Sequence, residues 1–146
     1  MKRVIFSLLF MLSLWGIEAN AQCGDDLLKK ALTEMGKGQY IKDFNIDLKS
    51  ETKEVKFSII LNSRSHYRFN VANGAGNAEN VIMELSDAGN ILFTNFENGK
   101  FSTSADVIIG KTKVYTLKFY FKGGSGGCAR AVQSLVKQYT AEEMNF

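Results

Sequence analysis

Short apolar runs with a period of two recur from about residue 40 to residue 137, and they limit the folds open to this chain more than any other feature. Successive side chains of an extended strand point to opposite faces, so apolar residues alternating with polar ones mark a strand with one buried face. Phe44, Ile46 and Leu48 alternate with Asn45 and Asp47. Val55, Phe57, Ile59 and Leu61 follow after the polar turn Ser50-Glu51-Thr52-Lys53. The pattern returns at Tyr67, Phe69 and Val71, at Val81, Met83 and Leu85, at Ile91 and Phe93, at Val107 and Ile109, and at Tyr115, Leu117, Phe119 and Phe121. Reversal signals separate the runs: Asn73-Gly74 opens a loop to Asn80, Asp87-Ala88-Gly89-Asn90 divides two runs, and Asn98-Gly99 precedes another. About eight short strands without interleaved helices predict a mostly β, antiparallel protein, either a β-sandwich or a small barrel. The apolar phase assigns Phe57, Phe69, Leu85, Leu117 and Phe119 to the core.

Two segments depart from that period. Leu27, Leu28, Ala31, Leu32 and Met35 recur at helical spacing behind Asp25 and Asp26, and Gly36 and Gly38 follow, so one short α-helix is expected over about 25–35. From Cys128 to Tyr139, Val132, Leu135, Val136 and Tyr139 suit a helix, while the surrounding β pattern favours a strand. A strand is expected for the first two thirds of this segment.

Residues 1–21 read as a signal peptide, with Lys2 and Arg3 at the start, an apolar run from Val4 to Trp15 and the small-residue end Ala19-Asn20-Ala21. Cleavage is expected before Gln22, leaving 22–146 as a single domain. The apolar run is short of the roughly 20 residues that span a bilayer, so no transmembrane segment is expected. Acylation of Cys23 would call for a small residue directly before it, where Gln22 stands. Removal of residues 1–21 takes away Lys2, Arg3 and Glu18 and lowers the net charge from +3 to +2. Lysines scattered among acids at that charge do not make a nucleic-acid surface, so no nucleic-acid partner is expected. Oxidising compartments permit disulfides, and an exported chain with two cysteines allows one intramolecular pairing, Cys23 with Cys128.

No catalytic motif stands out. His66 is the one histidine, and no G-x-S-x-G or H-E-x-x-H motif supplies it with partners, so it reads as an exposed histidine at a strand end. The glycine run 123–127 lacks the lysine and hydroxyl residue of a phosphate cradle and reads as a hairpin loop beside Cys128. Asp87 with Asn90, and Asn95 with Glu97 and Asn98, offer oxygen ligands of the kind calcium uses, but the same residues populate ordinary turns. No metal and no cofactor are expected. Phe146 ends the chain as an aromatic ends outer-membrane barrels, yet 140–145 lacks a lipid-facing alternation.

The succession EVKFSIIL, HYRFNVANG, NVIMELSDAGNILFTN and KVYTLKFYFKGGSGGCA, spanning Lys53 to Arg130, resembles bacterial pre-peptidase C-terminal (PPC-like) domains and related small exported proteins. That resemblance implies a jelly-roll β-sandwich without catalytic residues, here free-standing and preceded by the added helix. The function expected is an exported non-catalytic module, periplasmic or at the cell surface, that binds a protein or glycan of the cell envelope. Tyr40 and Tyr120 are the candidate contact aromatics, since such side chains supply contact area at low entropic cost. A small secreted enzyme and a lipid or small-ligand carrier are the alternatives. A dry, filled core with no deep cleft would disfavour both, whereas an apolar pocket of a few hundred Å3 with convergent polar groups would revive them.

Overall fold

The computed structural model describes residues 23–49 and 51–144; the expected signal peptide and Phe146 lie outside the described residues. Within them the chain forms one α-helix, α1 (Asp25–Glu34), and ten strands. The strands are β1 (Gln39–Leu48), β2 (Glu54–Leu61), β3 (Ser65–Asn73), β4 (Val81–Asp87), β5 (Asn90–Thr94), β6 (Phe96–Glu97), β7 (Lys100–Phe101), β8 (Ser104–Ile109), β9 (Lys113–Phe121) and β10 (Gly127–Gln138). Eight are long. The other two, β6 and β7, form a separate small hairpin on the connection from β5 to β8.

The eight long strands make two antiparallel four-stranded sheets, the first in the order β1-β10-β3-β8 and the second in the order β2-β9-β4-β5. Among connections between these eight, only β4 to β5 stays within one sheet, and every other one crosses the sandwich. This is the two-Greek-key winding of a jelly roll, and it settles the choice between sandwich and barrel that the alternation left open. It also corrects the reading of the glycine run. Residues 123–127 do not close a hairpin; they carry the chain from β9 in the second sheet to β10 in the first. Gly123 and Gly124 both take left-handed backbone angles (φ +71° and +72°) to make that turn.

The core lies between the sheets and is built from their inward phases. Phe69, Leu85, Leu117 and Phe119 have no exposed surface, as the alternation predicts, together with Ile46, Leu61 and Met83. Phe57 is half-buried and packs against this core from the edge strand β2. Its ring lies 5.0 Å from Phe44 and 6.0 Å from Phe119, so three aromatics from both sheets close the β1/β2 side of the sandwich. Edge-to-face and tilted pairs of this kind add to the stabilisation from buried area.

The outer face of the first sheet is covered by α1. Ala31 packs on Ala72 of β3 and Val132 of β10, with Leu27, Leu28, Leu32 and Met35 around them. Asp25 and Asp26 occupy the first helical turn, where they complement the helix dipole. At the other end Gly36 turns left-handed (φ +69°), and the Asn70 side chain donates to the Glu34 carbonyl at 3.1 Å. Cys23 and Cys128 are joined, with Cα atoms 5.5 Å apart, so the start of α1 is tied covalently to β10. Asn77 supports the same point: its side chain accepts from the Cys128 N–H at 2.9 Å and donates to the Cys128 carbonyl at 2.7 Å.

The helix explains why the last segment is ambiguous in sequence. β10 runs through Gln138, further than the two thirds expected, and is buried on both faces from Cys128 to Ser134. Val132 meets the helix while Leu135 packs toward the core, and a bulge between Leu135 and Lys137 shifts the phase beyond. Two buried faces and one bulge together imitate a helical period.

Candidate functional site

The two sides of the sandwich differ. On the β1/β2 side the aromatic trio fills the space between the sheets. On the opposite side the edge strands β5 and β8 flank an open cleft of about 390 Å3, walled also by the β6–β7 hairpin. Phe93, Phe101, Thr94 and Ala105 line it together with Glu97, Lys100 and Asp106. Such a volume falls within the roughly 300–1,000 Å3 of small-ligand sites.

The hairpin is specified locally. Asn98 and Gly99 both have positive φ (+51° and +76°), the condition of the two-residue turn that Asn-Gly favours. Phe96 and Phe101 face each other across β6 and β7 with ring centroids 4.4 Å apart. Lys122 lies over the Phe96 ring at 5.5 Å, and Phe101, stacked on Phe96, borders the cleft. Asn95 anchors the base of the hairpin. Its side chain accepts from Met83 N–H at 2.7 Å and donates to the carbonyls of Val81 and Ser102, each at 3.1 Å. A buried amide with these bonds replaces backbone pairing where the chain leaves the second sheet.

Asp106 stands at the β8 wall. Arg68 grips its carboxylate with two bonds, Nε to Oδ1 at 2.9 Å and a terminal nitrogen to Oδ2 at 3.0 Å, and His66 Nε2 lies 3.1 Å from Oδ1. Burial alone would raise the Asp106 carboxyl, but the bonds from Arg68 and His66 outweigh it and hold the group below the usual carboxylate range. Asp106 in turn raises Arg68. His66 is therefore not a bare strand-end residue; it meets Asp106 beside Arg68 across β3 and β8.

The two expected contact tyrosines lie on opposite sheets. Tyr40 of β1 is 46% exposed, and its hydroxyl donates to Asp43 Oδ1 at 2.7 Å, which raises its pKa. Tyr120 of β9 is half-buried on the outer face of the second sheet. Its hydroxyl donates to Glu84 Oε1 at 2.6 Å, and Lys118 sits 4.9 Å from its ring and 2.6 Å from Glu84 Oε2. Desolvation, followed by the bond to Glu84, pushes Tyr120 up to about 12. The same outer face ends in exposed aliphatics: Ile60 and Val114 sit directly opposite each other on β2 and β9, and Ile91 is exposed on β5. Of the turn residues weighed as cation ligands, Asp87 pairs with Lys113 and the Asn95 amide bonds to the backbone. Among the described residues no group of three metal-ligating side chains converges, and no helix is long and apolar enough to cross a membrane.

Sequence reasoning missed Phe93, Phe101 and Asp106 as neighbours, because β5, the hairpin and β8 meet only through the crossing of the sheets. One signal was available for the aliphatic end: Ile60 interrupts the polar phase of its strand, between Ile59 and Leu61.

No protein-family model matches the sequence, and no curated protein matches it. Among solved structures it is similar to PliG of Aeromonas hydrophila, a periplasmic inhibitor of g-type lysozyme, at 10% identity and a TM-score of 0.51, over 68% of this chain and 90% of that one. It is also similar to the pre-peptidase C-terminal domain of a Bacillus anthracis collagenase, at 16% identity and a TM-score of 0.50, over 66% of this chain and 90% of that one. At such identities these likenesses show the fold alone. A PPC domain thus stands among the structural neighbours, as the sequence resemblance implies for the sandwich.

Proposed function

We propose that this chain is an exported, non-catalytic module that binds a protein or glycan at or near the cell envelope. The observation that carries the reading is the edge cleft between β5 and β8, where two aromatic rings and a balanced set of polar groups are presented at the open side of a filled sandwich. The interior is occupied by side chains such as Phe69 and Phe119, so recognition falls to the exterior. Export rests on the three-part leader at 1–21 and on the Cys23–Cys128 bond, which suits an oxidising compartment.

The test is made with protein recovered from the producing cells. Its intact mass is expected to begin at Gln22 and to include one disulfide; a mass retaining Met1 to Ala21 contradicts the export reading, and a diacylglycerol on Cys23 contradicts cleavage before Gln22 and the disulfide. The recovered protein is expected to sediment with the envelope fraction of those cells in a saturable manner. Because one neighbour of this fold is described as an inhibitor of g-type lysozyme, that enzyme serves as the first protein probe in a binding titration. Turnover of glycan or peptide substrates by the pure protein would overturn the non-catalytic reading.

A further inference from the structure

We propose that the β5/β8 cleft takes a short, uncharged glycan, one sugar ring of which stacks on the cleft-facing side of Phe101. The inference rests on the binding-module reading and narrows it to one site and one ligand class.

Three features of the cleft lead there. The first is the ring. Phe101 is half-buried; Phe96 stacks against it at 4.4 Å, Lys122 lies 5.5 Å from the Phe96 ring centre, and Asn95 locks the hairpin base with three side-chain bonds. The ring is thereby held in place before any ligand arrives, which lowers the cost of ordering it. A pyranose presents a flat face of polarised C–H groups, which an aromatic face, negative at its centre, attracts.

The second feature is charge. Glu97, Asp106 and Lys100 line the cleft, and Arg68, outside the lining, holds the Asp106 carboxylate at both oxygens, which leaves Glu97 and Lys100 facing each other across the hairpin. Charges matched in this way favour a neutral ligand over a charged one, while Glu97 and Lys100 line the cleft and can bond with neutral hydroxyl groups. The third feature is shape. The chain crosses from the second sheet to the first between Asn95 and Ser104, with Ser102 N–H bonded to the Asn95 carbonyl and Val71 N–H to the Thr103 carbonyl. That crossing backs the cleft at one end, so a compact ligand is favoured over a peptide strand laid along β8. The volume of about 390 Å3 suits a ligand of a few rings at most.

The experiment titrates the disulfide-bonded protein, starting at Gln22, with cellotriose, maltotriose and triacetylchitotriose, and with trigalacturonate as the charged counterpart. At least one uncharged trisaccharide is expected to bind saturably with a Kd of roughly 1 mM or tighter, and trigalacturonate more weakly. Phe101→Leu keeps apolar volume against Phe96 but removes the aromatic face, and it is expected to weaken binding roughly tenfold. Phe101→Trp is expected to retain it. Ala105, opposite Phe69 on the inward phase of β8, lines the cleft; Ala105→Leu adds volume there without touching the hairpin stack and is expected to abolish binding, with the thermal midpoint measured alongside. The proposal is overturned if none of the three neutral sugars binds, if trigalacturonate binds best, or if Phe101→Leu and Ala105→Leu bind as the parent does. Should the sugars fail while saturable envelope sedimentation persists, the glycan site falls and the binding-module reading stands; if sedimentation fails as well, both fall.

Discussion

The two sheets of this sandwich present their outer faces to different surroundings. On the first sheet α1 lies across β3 and β10, tied down by Cys23–Cys128, and a salt bridge from Arg130 to Asp43 at 2.9 Å closes the rim of that contact. On the second sheet nothing among the described residues covers Ile60, Val114 and Ile91. The same strand pattern therefore yields two kinds of outward valine. Val132 is fully buried beneath the helix, and Val114 is 58% exposed. Outward position on a strand does not set the worth of a side chain; the layer laid over it does.

The largest expected effect tests the covering itself. Replacing both Cys23 and Cys128 with serine releases a closure of 105 residues, worth up to about 4.7 kcal/mol in the chain-entropy account. The denaturation midpoint is expected to fall while far-ultraviolet dichroism keeps its β character, and limited proteolysis should cut first in the α1 segment. Unchanged proteolysis would mean that packing alone holds the helix. Phe119→Ala removes a side chain from the core that both sheets share and is expected to cost roughly 3–5 kcal/mol in a urea titration. A loss under about 1 kcal/mol would show that the inner layer does not depend on it.

Val132→Thr sharpens the comparison directly, because it places a hydroxyl beneath the helix and should cost roughly 1–3 kcal/mol. Tyr120 probes the polar end of the bare face. Its pKa is raised in the folded protein to about 12 from about 10 in the unfolded chain. The neutral phenol is the form that folding favours, so its contribution is complete below about pH 10 and is lost as pH rises toward 12. Stability measured across that interval should decline, and Tyr120→Phe should flatten the decline. The smallest effect belongs to Val114→Thr, expected within about 0.5 kcal/mol of the parent; a cost equal to that of Val132→Thr would erase the distinction between the faces.

Much of this fold is legible along the chain because its signals are local. Alternation places Phe69, Leu117 and Phe119 inward, Asn98-Gly99 makes the β6–β7 turn, and the leucine stripe of 25–34 forms the helix. Glycine also marks the sites where backbone geometry leaves little choice. At Gly127 a Cβ would come within 2.7 Å of Asn77 Oδ1 and 2.9 Å of Phe121 Cζ, a crowding that only the folded neighbours create. The candidate site was not legible. Arg68 and Asp106 are 38 residues apart, and Phe93 and Phe101 line one cleft only because β5 and β8 end up on the same side of two different sheets.

By itself, then, the sequence determined the period of the strands, most of the inward residues, the short helix and the pairing of its two cysteines, since each depends on neighbours a few residues away or on there being one partner to choose; Ile91, read in phase with Phe93, is turned outward by the bulge opposite Leu85 and Ser86. Tertiary structure alone decided which strands are edges, that the glycine run crosses between sheets, that His66 joins Arg68 on Asp106, and that the β5/β8 side stays open while Phe44, Phe57 and Phe119 fill the other. Those outcomes follow from the order in which the strands hydrogen-bond, and that order rests on non-local pairings selected by how the two sheets pack, which no local period encodes.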